Sequence, residues 1–263
     1  MGWFNFKKEK SADEKAIAQF TLGVRYLNGD GVTKDLVEAA KLFRKLADQG
    51  YPHAQSVLGA CYMAGQGVTR NYAEAVKWFR KAADQGDADS QYRLGICYEC
   101  EQDYAEAIKW LRKAAEQNFA ESQYSLGFCY DNGRGVAVDH VEAAKWFRKA
   151  AEQNHAKAQY WLGYCYYTGQ GVPKDYTEAV KWCQKSANQG DAEAQFRLGI
   201  CYNAGEGVTK DLVEAAKWWN LASEQGIELA KRNLSIIGQK MTPEQIAKAQ
   251  RLAREFQPHK ACN

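Results

Sequence analysis

Small and large apolar residues recur along this chain three and four positions apart, and the pattern restarts at a nearly fixed interval. Its marker is the dipeptide Leu-Gly, at Leu22-Gly23, Leu58-Gly59, Leu94-Gly95, Leu126-Gly127, Leu162-Gly163 and Leu198-Gly199, with a degraded echo at Leu234-Ser235. The steps are 36 residues, with one of 32. Such a period predicts a two-helix unit, too small to bury its own apolar face, stacked on copies of itself. In the fifth copy, helix A reads Ala156-Lys157-Ala158-Gln159-Tyr160-Trp161-Leu162-Gly163-Tyr164-Cys165-Tyr166, and the turn is Gly169-Gln170-Gly171-Val172. Helix B then runs from Asp175 through Trp182 and ends near Gln189-Gly190. No segment alternates in the manner of a strand.

Helix B starts the same way in six copies: Asp35 with Glu38, Asn71 with Glu74, Asp103 with Glu106, Asp139 with Glu142, Asp175 with Glu178 and Asp211 with Glu214. This spacing predicts a capping box, in which the first side chain accepts from a first-turn N–H and the Glu reaches back to the cap's own N–H. These carboxylates read as structural, and each Glu also precedes a Lys by three residues (Lys41, Lys77, Lys109, Lys145, Lys181, Lys217), a weak surface pair. At the far end of helix B stand Gly50, Gly86, Asn118, Asn154, Gly190 and Gly226, the two residue types that tolerate a left-handed turn. The paired turn glycines, such as Gly169 and Gly171, lack the strand and lysine of a phosphate loop and read as backbone turns. Trp78, Trp110, Trp146, Trp182 and Trp218, with Leu42 in the first copy, are expected to be buried anchors between neighbouring helices.

Charge narrows the functions. The 35 basic and 32 acidic residues are interspersed and leave a net charge of +3, so no basic stripe marks a nucleic-acid surface. No apolar run is long enough for a signal peptide or a membrane span, which reads as cytoplasmic. Met1-Gly2 lacks the Ser or Thr at position six that myristoylation favours, but Trp3, Phe4 and Phe6 beside Lys7 and Lys8 suit a membrane surface or a partner groove. Five of eight cysteines (Cys61, Cys97, Cys129, Cys165, Cys201) share one repeat position. Packed helices lie ~8–10 Å apart, too far for equivalent cysteines to pair, so they read as small buried apolar residues. Cys97-x-x-Cys100 is the sole CxxC, and His53, His140, His155 and His259 are scattered, so no metal site is expected.

The sequence A-x-A-Q-Y/F-x-L-G-x-x-Y, then G-x-G-V, then D-x-x-E-A-x-K-W-F-x-K-A-A-x-Q-G, resembles the Sel-one-like repeat family, a relative of the tetratricopeptide repeat, over about residues 16 to 240. The resemblance implies an all-α, right-handed α-solenoid of stacked antiparallel helix pairs, with the A helices lining a concave groove that holds protein partners. It also implies an adaptor and not an enzyme, with no cofactor. Three departures stand out. The third copy has lost its glycine turn at Glu99-Cys100-Glu101-Gln102, the first has Arg25 where later copies have Cys, and the last has Ser235 for Gly. Losing four turn residues should leave both helices intact and tighten their connection. Thr242-Pro243-Glu244-Gln245 starts a further helix with one apolar stripe, Ile246, Ala249, Ala253 and Phe256, expected to cap the C-terminal edge. The expected organisation is therefore a tail over 1–14, a continuous array over 15–240, a capping helix over 241–257 and a tail over 258–263.

If the groove is lined as in tetratricopeptide relatives, the helix A positions that vary most between copies are its specialised ones. Together with the aromatic residue one turn earlier they give Tyr92, Ile96, Tyr124, Phe128, Tyr160, Tyr164, Tyr167, Phe196 and Ile200, an aromatic track suited to an extended or helical peptide. Neighbouring acids favour a basic ligand. Two other functions compete with a protein-binding scaffold. One is the β-lactam-hydrolysing activity associated with the secreted branch of the family, although no Ser precedes a Lys by three residues and the motif sets no nucleophile beside a histidine. The other is an adaptor held at a membrane by its first six residues. Partner identity and association between copies of the chain stay open.

Overall fold

The computed structural model describes the chain from residue 2 to 258, with side chains from residue 13 onward; the readings of Trp3, Phe4, Phe6 and His259 lie outside the described side chains. Among the described residues there are fourteen α-helices and no strand. Contacts divide the chain between Gln117 and Asn118 into two compact units. The first holds α1 (Gly2–Asn28), α2 (Leu36–Asp48), α3 (Pro52–Ala64), α4 (Tyr72–Asp84), α5 (Ala88–Cys100) and α6 (Tyr104–Glu116). The second holds α7 (Ala120–Asn132), α8 (His140–Glu152), α9 (Ala156–Thr168), α10 (Tyr176–Asn188), α11 (Ala192–Ala204), α12 (Leu212–Glu224), α13 (Glu228–Gly238) and α14 (Pro243–Glu255). Odd-numbered helices to α13 are the A helices and even-numbered helices to α12 the B helices. Within each unit every helix up to α13 packs on the next, while α14 packs on α12. The helical stretch from Gly2 is continuous with the first helix A, where a tail over 1–14 was expected.

The Leu-Gly marker is the point where helix A crosses its own helix B. Its leucines Leu58, Leu94, Leu126, Leu162 and Leu198 are fully buried. Its glycines let the two backbones close: a methyl at Gly127 would lie 2.7 Å from the Phe147 ring, at Gly163 2.7 Å from Cys183 Sγ, and at Gly199 2.3 Å from Trp219 Nε1. The partner's bulk differs between copies, yet each needs the missing Cβ.

The start of helix B departs from the expected capping box. Asp35, Asn71, Asp103, Asp139, Asp175 and Asp211 do accept from the Glu N–H three residues on, at 2.9–3.1 Å. The Glu does not reach back. Each cap's own N–H already donates, at 2.9–3.0 Å, to the carbonyl of the tyrosine in Leu-Gly-x-x-Tyr: Tyr26, Tyr62, Tyr98, Tyr130, Tyr166 and Tyr202. The glutamate turns outward instead and pairs with its lysine, as in Glu38–Lys41 at 3.0 Å and Glu178–Lys181 at 2.6 Å. Only Thr242 with Gln245, at the start of α14, makes both bonds of the box among the described residues.

The tryptophans behave as anchors. Trp78, Trp110, Trp146, Trp182 and Trp218 are at most 9% exposed, and their indole N–H groups have no hydrogen-bond partner, so the rings are held by packing. Lys81, Lys113, Lys149 and Lys185 cover the first four rings at 3.8–4.2 Å. Arginines staple successive copies: Arg44 reaches the Tyr62 hydroxyl and lies 5.7 Å from the Trp78 ring, and Arg80 does the same to Tyr98 and Trp110.

A buried glutamine ladder, unremarked in the sequence, braces the stack. Gln55, Gln91, Gln159 and Gln195 donate to the carbonyls of Ala47, Ala83, Ala151 and Ala187 in the preceding helix B. Their own side-chain carbonyls, and that of Gln123, accept from Gln85, Gln117, Gln189, Gln225 and Gln153 at 2.7–2.9 Å. Satisfying both ends of a buried amide offsets its desolvation.

The departures have local explanations. In the third copy both helices survive; Gln102 turns left-handed (φ 64°) and Asp103 keeps its bond to Tyr98. Arg25 is exposed and donates to the turn carbonyls of Asp30 (2.9 Å) and Gly31 (3.4 Å). The α14 stripe buries Ala249 and Ala253, sets Phe256 edge-on to Trp218 at 5.4 Å, and with α12 and α13 closes a cavity of about 270 Å³. The outer face of α13 keeps Leu229 and Ile236 more than half exposed.

Candidate partner-binding face

All nine residues of the expected track are half-buried, but the structure does not treat them alike. Tyr92 and Ile96 lie on α5 in the first unit; the other seven lie in the second.

In the second unit five of the seven join one aromatic cluster. Tyr124 on α7 stacks on the His155 ring at 4.9 Å and lies 6.1 Å from Phe147. Phe128 meets Trp161 edge-on at 5.8 Å, and Arg134 covers it at 5.2 Å. On α9, Tyr160 and Tyr164 each meet Trp161 at 5.6 Å. Tyr167 meets Tyr176 at 5.2 Å and donates its hydroxyl to Glu206 at 2.8 Å. Helical spacing produces this arrangement, because Tyr160, Tyr164 and Tyr167 are four and three residues apart and so share one face. Phe196 does not join. It packs into the core around Trp219, whose indole N–H donates to the Phe196 carbonyl at 3.1 Å. Ile200 lies apart from the rings and borders a cavity of about 180 Å³ with Asn203, Trp219, Asn233, Ile236 and Ile237.

Two residues at the centre of the cluster were missed by reading the variable positions alone. Trp161 touches Phe128, Phe147, Tyr160 and Tyr164. Arg197 on α11 lies over Tyr164 at 5.2 Å and over Tyr167 at 4.8 Å. Both occupy the position just before Leu-Gly, which reads Thr21, Val57, Arg93, Ser125, Trp161 and Arg197. That spread of size and charge was the available signal.

Burial dominates the electrostatics of the face. Burial and the bond to Glu206 push the Tyr167 hydroxyl up to about 12. Burial also raises Tyr160, with Arg197 pulling against it. The thiols are pushed away from reactivity: Cys165 rises to about 12 and Cys201 to about 11, both chiefly through burial. His140 Nδ1 and Asp131 Oδ1 sit 2.8 Å apart, yet Cys165, which feels the Asp131 charge, is buried with a raised pKa. Among the described residues no group of three His, Cys, Asp or Glu could hold a metal ion, and no helix is long and apolar enough to cross a membrane.

Stacked helix pairs with this crossing geometry define an all-α repeat protein of the solenoid class. The family model of the Sel1 repeat matches residues 16–51, 52–87, 88–119, 120–155, 156–191 and 192–227, and the chain belongs to the Sel1 repeat family. It is similar to c5321, a protective antigen of uropathogenic Escherichia coli strains displaying an SLR fold, at 38% identity and a TM-score of 0.83, over 94% of this chain and 55% of that one. It is also similar to a Sel1 repeat protein from Oxalobacter formigenes, at 34% identity and a TM-score of 0.74, over 80% of this chain and 88% of that one. The chain thus spans about half the length of c5321. No curated protein matches it.

Proposed function

We propose that this chain is a non-enzymatic adaptor that holds a protein or peptide partner on the A-helix face of its second unit. The observation that carries the reading is the cluster of half-buried rings on α7 and α9 around Trp161. Rigid aromatics with one face packed and one edge exposed provide contact area at low entropic cost, and Trp, Tyr and Arg dominate binding hot spots. Membership of a family of interaction scaffolds supports the same reading. Cys61, Cys97, Cys100, Cys165, Cys183 and Cys201 form no disulfide, which supports a reducing compartment such as the cytoplasm.

The test is affinity capture from the source cell, comparing wild type with a Tyr164→Ala/Tyr167→Ala variant and with Trp161→Ala. Loss of the same partners from both variants, with the helical circular-dichroism spectrum unchanged, is the expected result. Identical recovered partners would remove this face from consideration. Nitrocefin turnover above background would overturn the non-enzymatic part.

A further inference from the structure

Arg197 is the exception among the charged groups of this face. Its guanidinium lies over the rings of Tyr164 and Tyr167, its Nε is buried without a hydrogen-bond partner, and among the described residues it makes no ion pair. Three of the surrounding acids are engaged and the fourth, Glu193, is exposed. Glu206 accepts from Tyr167, Asp191 accepts from the Ala194 N–H at 2.8 Å, Asp131 is bonded to His140, and Glu193, one turn earlier on α11, does not reach Arg197. A partly desolvated cation without a counter-ion is costly, and the cost is recovered when an anion arrives. Beside the rings, the buried charge that lacks a counter-ion is therefore the positive one of Arg197, with exposed Glu193 one turn away on α11.

On the far side of α11 lies the 180 Å³ cavity bordered by Ile200, Asn203, Asn233 and the exposed Ile236. Packed helices are ~8–10 Å apart and an extended chain advances ~3.3 Å per residue, so the two features are about three residues apart for a bound strand. Resting on the adaptor reading above, we propose that the face recognises an extended partner segment through one side-chain carboxylate, Asp or Glu, seated on Arg197. The same segment places an aliphatic side chain about three residues away in the Ile200/Ile236 cavity. A guanidinium fixed by stacking on Tyr164 and Tyr167 and by its hydrogen bond to the Tyr160 hydroxyl presents its remaining N–H groups to a carboxylate in a preset geometry. One unpaired cation matches a single negative charge better than a doubly charged phosphate. Ring surface continues on one side of Arg197 and the cavity on the other, so a segment can pass through with a side chain, rather than a chain terminus, supplying the acid. The Asn203 and Asn233 amides offer donors and acceptors to its backbone.

The probe is a random peptide library displayed with blocked C-termini and selected on the full chain. Enriched peptides are then made with amidated C-termini and measured by fluorescence anisotropy. Asp or Glu with Ile, Leu, Val or Met about three residues away should be enriched. Changing the acid to its amide in the peptide, or Arg197→Gln in the protein, should each weaken binding about 10-fold or more, and the two together no further. The peptide-side change reads the same contact even if the protein variant is destabilised. Enrichment of basic or uncharged peptides, or full binding of acidic ones by a folded Arg197→Gln protein, overturns the proposal. Peptides that need Tyr164 but ignore Arg197 leave the adaptor face standing and sink only the carboxylate. Absence of any selected peptide, or indifference to both Tyr164→Ala and Arg197→Gln, sinks both.

Discussion

Replacing Gly127 by Ala tests the crossing that sets the repeat. Two effects oppose each other. In mid-helix, Ala is favoured over Gly by ~1 kcal/mol. Against this, the new methyl meets Phe147 at 2.7 and 2.8 Å and the Ala143 carbonyl oxygen at 3.2 Å. The ring has nowhere to retreat, since Phe147 is fully buried with Tyr124 at 6.1 Å and Trp161 stacked at 6.0 Å, and the carbonyl belongs to the helix backbone. Overpacking of this kind costs ~1–3 kcal/mol, and the rigid surroundings put Gly127→Ala in the upper half of that range. The net loss is then about 1–2 kcal/mol, or roughly 2–8 °C in thermal midpoint for a chain of this size. Gly238, the last residue of α13, is the control, because a methyl there meets nothing within 4 Å and Gly238→Ala should be neutral or stabilising. Urea and thermal unfolding followed by far-ultraviolet circular dichroism compare the two. A Gly127→Ala protein as stable as wild type would refute close backbone approach as the reason for the Leu-Gly marker.

Trp146→Ala removes a ring that is 5% exposed and should cost about 3–5 kcal/mol, read as a lower urea midpoint; an unchanged midpoint would make the ring a mere surface contact. His155 caps α9 by accepting the Ala158 N–H at 3.1 Å, and burial lowers its pKa, so its contribution is fully present above its ordinary value of ~6.5 and is lost as pH falls below it. His155→Asp borrows the residue that caps α5 and α11 at Asp87 and Asp191, and it should lose less thermal stability than wild type between neutral pH and pH about 5. Equal losses would remove His155 from the acid response. Alkylation mapped by mass spectrometry should label exposed Cys100 in the folded protein and leave Cys165, Cys183 and Cys201 untouched until denaturant is added. Labelling of Cys183 at the rate of Cys100 would contradict the packing at Gly163.

The periodicity alone determined the helical class, the pairing of helices, the left-handed stops at Asn118 and Asn154 (φ 66° each) and the burial of the helix B tryptophans. These follow from local rules, repeated six times in register, so that each copy reinforces the reading of the others. What the sequence withheld was the destination of groups that have more than one partner within reach. The Glu of each cap box had two choices, and the tyrosine carbonyl of helix A took the cap N–H first, sending the carboxylate out to its lysine. Phe196 and Tyr160 are equivalent in sequence, but Phe196 packs against the core around Trp219, whereas Tyr160 packs against the core around Cys183 and also meets the Trp161 and Tyr164 rings. The partners of the acids were likewise decided in three dimensions. Glu206 and Asp131 found Tyr167 and His140 across turns that no linear spacing predicts, which left the positive charge of Arg197 without an acid of its own. Local propensity and periodicity fix what each segment becomes, while hydrogen-bond donors and charges are shared among neighbours that only packing brings together.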